Sequence, residues 1–129
     1  MATRVFLTLS ALVWLPYGIW CALHPSYLAE AAGVAFQSPT GSTELRAMYG
    51  GLQAALGVLA TLGALRPSWV RPALVSIAFA TAGLGSARLV GTLLDGGLSS
   101  YTEVALGFEF TSAVVALVLL NRVTKSASA

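Results

Sequence analysis

Four long apolar runs constrain this chain more than any other feature. A helix that crosses the hydrocarbon of a bilayer needs about 20 mostly apolar residues. Residues 5–23, 43–65, 73–94 and 101–120 each supply such a run. The first carries no charge, the third is interrupted only by Arg88, and the fourth holds Glu103 near its start and Glu109 well inside. What remains between them is short. The residue inventory agrees: 57% of the chain is hydrophobic and only 9% is Asp, Glu, Lys or Arg, against about 25% charged in a typical soluble domain. That is too little charge for a water-facing surface, which excludes an ordinary cytosolic enzyme and a disordered tail. The expectation is an all-α integral membrane four-helix bundle, one transmembrane domain over residues 1–129.

The same inventory removes other classes. Seven basic and five acidic residues leave a net charge of +2 with no basic stripe, so nucleic acid is not an expected partner. Cys21 is the single cysteine and His24 the single histidine, which leaves no disulfide within the chain and no donor set for a metal. No metal and no cofactor are expected. Arg4 followed by an apolar run is also the pattern of a signal peptide, but Trp20-Cys21-Ala22-Leu23 offers no small-x-small cleavage site, so the run is read as a retained span.

Local signals mark the ends of the spans. Ser42 is placed to cap the second helix, with Glu44 in its first turn; Pro67 follows that helix, and Pro72 suits the first turn of the third. Asp95-Gly96-Gly97 terminates the third span, and Ser100-Tyr-Thr-Glu103 reads as a capping box opening the fourth. The side shared by the termini and the second-to-third loop holds Arg4, Arg66, Arg71, Arg122 and Lys125 and no acid. The other side holds Glu30, Glu44, Asp95 and Glu103, with Arg46 and Arg88 just inside it. Positive charge stays cytoplasmic in short loops, so a multi-pass inner-membrane protein with both termini cytoplasmic is expected, Trp69 anchoring the cytoplasmic hairpin. In the external connection, Tyr27, Leu28, Ala31, Val34 and Ala35 approximate a helical stripe, which predicts a short interfacial helix between spans 1 and 2. Ser38-Pro39-Thr40-Gly41 then turns the chain into the second span.

Ionisable groups inside hydrocarbon are costly, about 2.5–3.5 kcal/mol each on insertion scales, and persist when paired or when they line a cavity. Helical spacing puts Arg46, Tyr49, Gly50, Gln53 and Gly57 on one face of the second span; Thr81, Gly85, Arg88 and Thr92 share a face of the third. Thr102, Ala105, Glu109, Ser112 and Ala116 share one face of the fourth, and Tyr17, Cys21 and His24 one of the first, with Trp20 alongside. Turning these faces inward predicts a pocket of Tyr17, His24, Arg46, Tyr49, Gln53, Arg88 and Glu109 in the outer half of the bundle. Purely structural readings stand beside it. Glu103 and Glu44 serve helix N-termini, the Gly50-Gly51 pair with Ala47, Ala55 and Gly57 makes a close helix contact, His24 is interfacial, and Arg88–Glu109 is an ion pair joining the third span to the fourth.

The stretch from Gly41 to Gly57, with its Glu44-Leu45-Arg46-x-x-Tyr49-Gly50-Gly51 core, resembles an uncharacterised bacterial family of small four-span inner-membrane proteins, a domain of unknown function. The likeness continues through Gly85-Ser-Ala-Arg88, Asp95-Gly96 and Glu109 and covers essentially the whole chain. A fainter similarity runs to DoxX-like four-helix membrane proteins, some of them associated with quinone-linked or redox-stress roles. The resemblance implies a four-helix membrane fold with a polar motif at Glu44, Arg46, Tyr49, Arg88 and Glu109, and no established activity.

The expected function is binding of an amphipathic small molecule or membrane lipid in the polar pocket, since an arginine fork suits carboxylate or phosphate. The alternative is a membrane enzyme, an isomerase, cyclase or hydrolase working by proton transfer on an apolar substrate, with Glu109 as the acid or base. Its distance from Arg88 decides between these, because a close guanidinium holds the carboxylate charged. A proton-coupled transporter and an accessory subunit complete the alternatives, and a homo-oligomer or a partner membrane subunit is compatible with faces such as Gly83–Ala87–Gly91.

Overall fold

The computed structural model describes residues 1–127, and every regular element among them is helical. These are α1 (Ala2–Leu23), α2 (Tyr27–Ala32), α3 (Pro39–Leu45), a π-helical turn (Arg46–Gly51), α4 (Leu52–Leu65), α5 (Pro67–Asp95) and α6 (Ser100–Ala127). The chain α3–π turn–α4 is continuous, so four stretches are long and apolar enough to cross a membrane: Ala2–Leu23, Pro39–Leu65, Pro67–Asp95 and Ser100–Lys125. The chain divides into two compact units, Met1–Ala73 and Leu74–Ala129.

In the first unit, α1 packs antiparallel to the π turn and α4 along a seam of small residues. A Cβ added at Gly50 would stand 2.7 Å from Ala22 Cα, one at Gly57 2.6 Å from Leu15 Cα, and one at Gly18 2.8 Å from Ala54 Cα. No side chain fits in those gaps. In lipid, helices gain nothing from hiding apolar groups from water, so close backbone approach and van der Waals contact supply the attraction. Gly51, by contrast, faces open space, with only Arg46 O at 3.9 Å from an added Cβ. Leu7, Cys21, Leu28 and Ala60 are fully buried in this unit.

Three helix ends in this unit differ from the sequence reading, each for a local reason. Ser38, not Ser42, caps the second span: its backbone is extended and its Oγ accepts the Gly41 N–H at 3.1 Å. Pro39 is pre-set for the first helical position and needs no N–H partner there, so the helix starts early and Glu44 falls beyond its first turn. Arg66 is the only residue between α4 and α5. It is extended (φ −125°, ψ 120°), as a residue before proline must be. Trp69 therefore lies in the first turn of α5, bonded to Arg66 O at 3.0 Å, and Pro72 sits inside the helix. The expected interspan stripe contracts to α2, where Leu28 alone is fully buried and Gly33 (φ +68°) ends the helix.

In the second unit, α5 from Leu74 onward pairs with α6. Asp95 closes α5 as expected, Gly96 taking φ +67° and donating to Thr92 O at 3.1 Å. Ser99, not Ser100, caps α6: its Oγ accepts the Thr102 N–H at 3.2 Å, and its carbonyl the Glu103 N–H at 3.0 Å. Ser100 is already helical and cannot cap itself. Leu74, Ile77 and Thr81 of α5 and Ala113, Ala116 and Leu119 of α6 are buried, together with Glu109 and Ser112. The Thr81 hydroxyl is satisfied by Ile77 O at 2.7 Å.

Candidate functional site

Arg88 and Glu109 face each other between α5 and α6. Arg88 Nη2 donates to Glu109 Oε1 at 2.7 Å, and Nε donates to Oε2 at 3.0 Å and to Oε1 at 3.3 Å. This is the fork-to-carboxylate contact that gives arginine pairs their strength and orientation. The Glu109 side chain is 5% exposed, whereas that of Arg88 keeps 24% of its surface accessible. Gly85, one turn before Arg88, makes the approach possible. A Cβ there would meet Glu109 Cβ at 3.4 Å and the tip of the Phe110 ring at 3.3 Å. On the far side, the Tyr101 ring centroid lies 5.7 Å from Arg88 Cζ, within cation–π range. Thr92 Oγ donates to the Arg88 carbonyl at 2.9 Å, holding the next turn of α5 to this one.

Tyr101 was not among the expected site residues. The signal for it was present: it stands eight residues before Glu109, two helical turns up the face that Ala105 and Glu109 define.

The first unit treats its expected site residues differently. Arg46 Nη1 donates to Ala22 O and, at 3.3 Å, to Leu23 O, the last carbonyls of α1. Those carbonyls have no intrahelical donor, and α1 has no basic residue in its own last turn. Arg46 thus supplies across space the positive charge that a helix C-terminus favours. The π turn places it there. Its wider turn departs from the 3.6-residue period on which the face Arg46–Tyr49–Gly50–Gln53–Gly57 was drawn, yet Arg46 stays on the α1 side with Gly50, both meeting Ala22, and Gly57 lies further along the same seam.

His24 is the C-cap of α1 and is exposed, its ring 4.2 Å from that of Trp20, which in turn meets Tyr27 edge-on at 6.4 Å. Tyr17 is half-buried and shares a hydrogen bond with the buried Cys21 one turn along α1. Tyr49 and Gln53 are half-buried, and Gln53 Oε1 is shut off from solvent with no hydrogen-bond partner among the described residues. No cluster of three or more His, Cys, Asp or Glu side chains occurs among the described residues.

Fold and site together define a small all-helical protein with four helices suited to crossing a membrane and a buried arginine–glutamate pair between the last two. The chain belongs to the family described as a domain of unknown function, DUF4345, which matches residues 2–120. No curated protein and no solved structure matches it.

Proposed function

We propose that this chain is a multi-pass protein of the inner (plasma) membrane, both termini cytoplasmic, that binds the polar head of an amphipathic small molecule or lipid at Arg88 and Glu109. The observation that carries the reading is the pair itself: a fork contact inside a span, with the acid sealed and the arginine side chain still a quarter accessible. A buried ion pair is a poor device for stability alone, because apolar residues of similar size often do as well or better. An arginine whose plane is fixed by Glu109 and whose face is covered by Tyr101 is prepared to donate to carboxylate, phosphate or carbonyl oxygens. The split of basic and acidic residues between the two sides supports the orientation, and α2 serves as the external interfacial helix. Within the Glu44–Gly51 motif, Arg46 and Gly50 have structural work, on the end of α1 and against Ala22. Kinship with DoxX-like proteins belongs to the same proposal and makes quinones a natural class to test.

An enzyme or proton-coupled carrier built on Glu109 has less support. Both carboxylate oxygens are already engaged by Arg88, which leaves neither free to meet a substrate. The test is a thermal-shift screen of the purified protein in detergent against fatty acids, phospholipids, quinones and isoprenoids. Stabilisation of the wild type by at least one class, lost in Arg88→Met/Glu109→Met, is expected. No stabilisation of the wild type by any class refutes the reading.

A further inference from the structure

The end of the first unit remote from His24 and Arg46 gathers three arginines with no counter-charge among the described residues of that unit. Gly63 locates it: an added Cβ there would lie 3.0 Å from Leu7 Cδ1, 3.2 Å from Trp69 O and 2.8 Å from Ala73 Cβ. The start of α1, the end of α4 and the start of α5 therefore converge. Arg4 precedes Leu7 by about 4.5 Å along the helix axis, Arg66 is the joint between α4 and α5, and Arg71 follows in the second turn of α5. The side chains of Arg4, Arg66, Arg71 and Trp69 are all exposed. None of the three guanidiniums makes an ion pair or hydrogen bond with another described residue. The acids of this unit, Glu30 in α2 and Glu44 in α3, lie beyond the other end of α1.

The apolar surface beside these charges says what kind of anion fits. Val5 is 50% exposed, Leu9 58% and Leu65 72%, all within two turns of an arginine. A free phosphate would satisfy only the guanidiniums, and an acidic peptide would leave the apolar flank uncovered. A diacyl anionic lipid meets both, its phosphodiester on the arginines and its chains along Val5, Leu9 and Leu65. The joint is also ordered in advance, since Pro67 and Pro72 stiffen the backbone that presents Arg66, Trp69 and Arg71, and pre-organisation lowers the cost of binding. We propose that Arg4, Arg66 and Arg71, with Trp69 at the level of the glycerol backbone, form a binding surface for anionic phospholipid. This rests on the membrane reading and uses neither Arg88 nor Glu109.

Native mass spectrometry of the delipidated full chain in neutral detergent, with equimolar phosphatidylglycerol and phosphatidylcholine of identical acyl chains, tests it. Phosphatidylglycerol should be retained in clear excess. In Arg4→Gln/Arg66→Gln/Arg71→Gln that excess should fall about fivefold for each arginine removed, with phosphatidylcholine retention unchanged. Arg122→Gln/Lys125→Gln should keep the preference, and millimolar glycerol phosphate should not displace the lipid. Equal retention of both lipids by the wild type overturns the proposal without recourse to any variant. So does displacement by glycerol phosphate, which marks a free-phosphate site, or an equal loss in the Arg122/Lys125 variant, which marks diffuse charge.

Discussion

Replacing Arg88 by methionine should cost more than replacing Glu109, and replacing both should cost less than either. The asymmetry follows from burial. Arg88→Met strands a carboxylate whose side chain is 5% exposed. Breaking a buried pair from one side costs about 3–5 kcal/mol, and the low end, about 3 kcal/mol, is expected here because the partner was partly open. Glu109→Met leaves an arginine with 24% of its side chain already accessible. Such a side chain extends its charged end toward water, so the loss is nearer that of hydrogen bonds to a charged group, about 1.5 kcal/mol. Arg88→Met/Glu109→Met removes both desolvation penalties and should lie within about 1 kcal/mol of wild type. The cycle then yields a coupling of about 4.5 kcal/mol, above the range usual for residues in contact. Reversible unfolding in mixed micelles with increasing denaturing detergent, followed by helical circular dichroism, measures all four corners. Additive losses, or a larger loss for Glu109→Met than for Arg88→Met, would refute the account of the pair as a desolvated contact with one open side.

Other perturbations separate close contacts from open faces. Gly50→Ala and Gly57→Ala push a methyl group into the α1 backbone and should each destabilise the chain by about 1–3 kcal/mol, whereas Gly83→Ala, with nothing within 4 Å of the new carbon, should be neutral or slightly stabilising; the same unfolding assay distinguishes them. Arg46→Met removes the donor to Ala22 O and Leu23 O and should cost about 1 kcal/mol, the site being exposed, while leaving amphiphile stabilisation at Arg88 intact in the thermal-shift screen. Cys21 is free and fully buried, so a maleimide should modify it only in denaturing detergent; rapid labelling of the native protein would show that the α1 seam opens.

The helix ends show how far local signals reach. Span, turn and termination were legible at Gly96, where glycine alone takes a positive φ at no steric cost. At the N-termini of the second and fourth spans the capping serine was misplaced, by four residues and by one, because Ser, Thr and Gly cluster there and the choice depends on which residue the backbone leaves extended. Gly50 and Gly57 were readable as contact residues, since small side chains in apolar helices have few other uses, but their partners were not; Gly18 went unread, and Gly51, read with Gly50, faces open space. Arg46 was the larger surprise. Its destination is a pair of carbonyls more than twenty residues earlier in the chain, which residue spacing does not identify.

Residue order alone settled the properties that are sums over short windows: four apolar stretches and the need for any charge deep in a span to find a partner. Hydrocarbon makes these decisions locally, because no water is present to satisfy a stray polar group. Which groups meet, at what distance and with how much surface left open was decided only when the helices packed. Arg88 closing both of its contacting nitrogens on Glu109 beneath Tyr101, and Arg46 reaching the end of α1, depend on helix rotation and approach, quantities that a pattern of residue types does not contain.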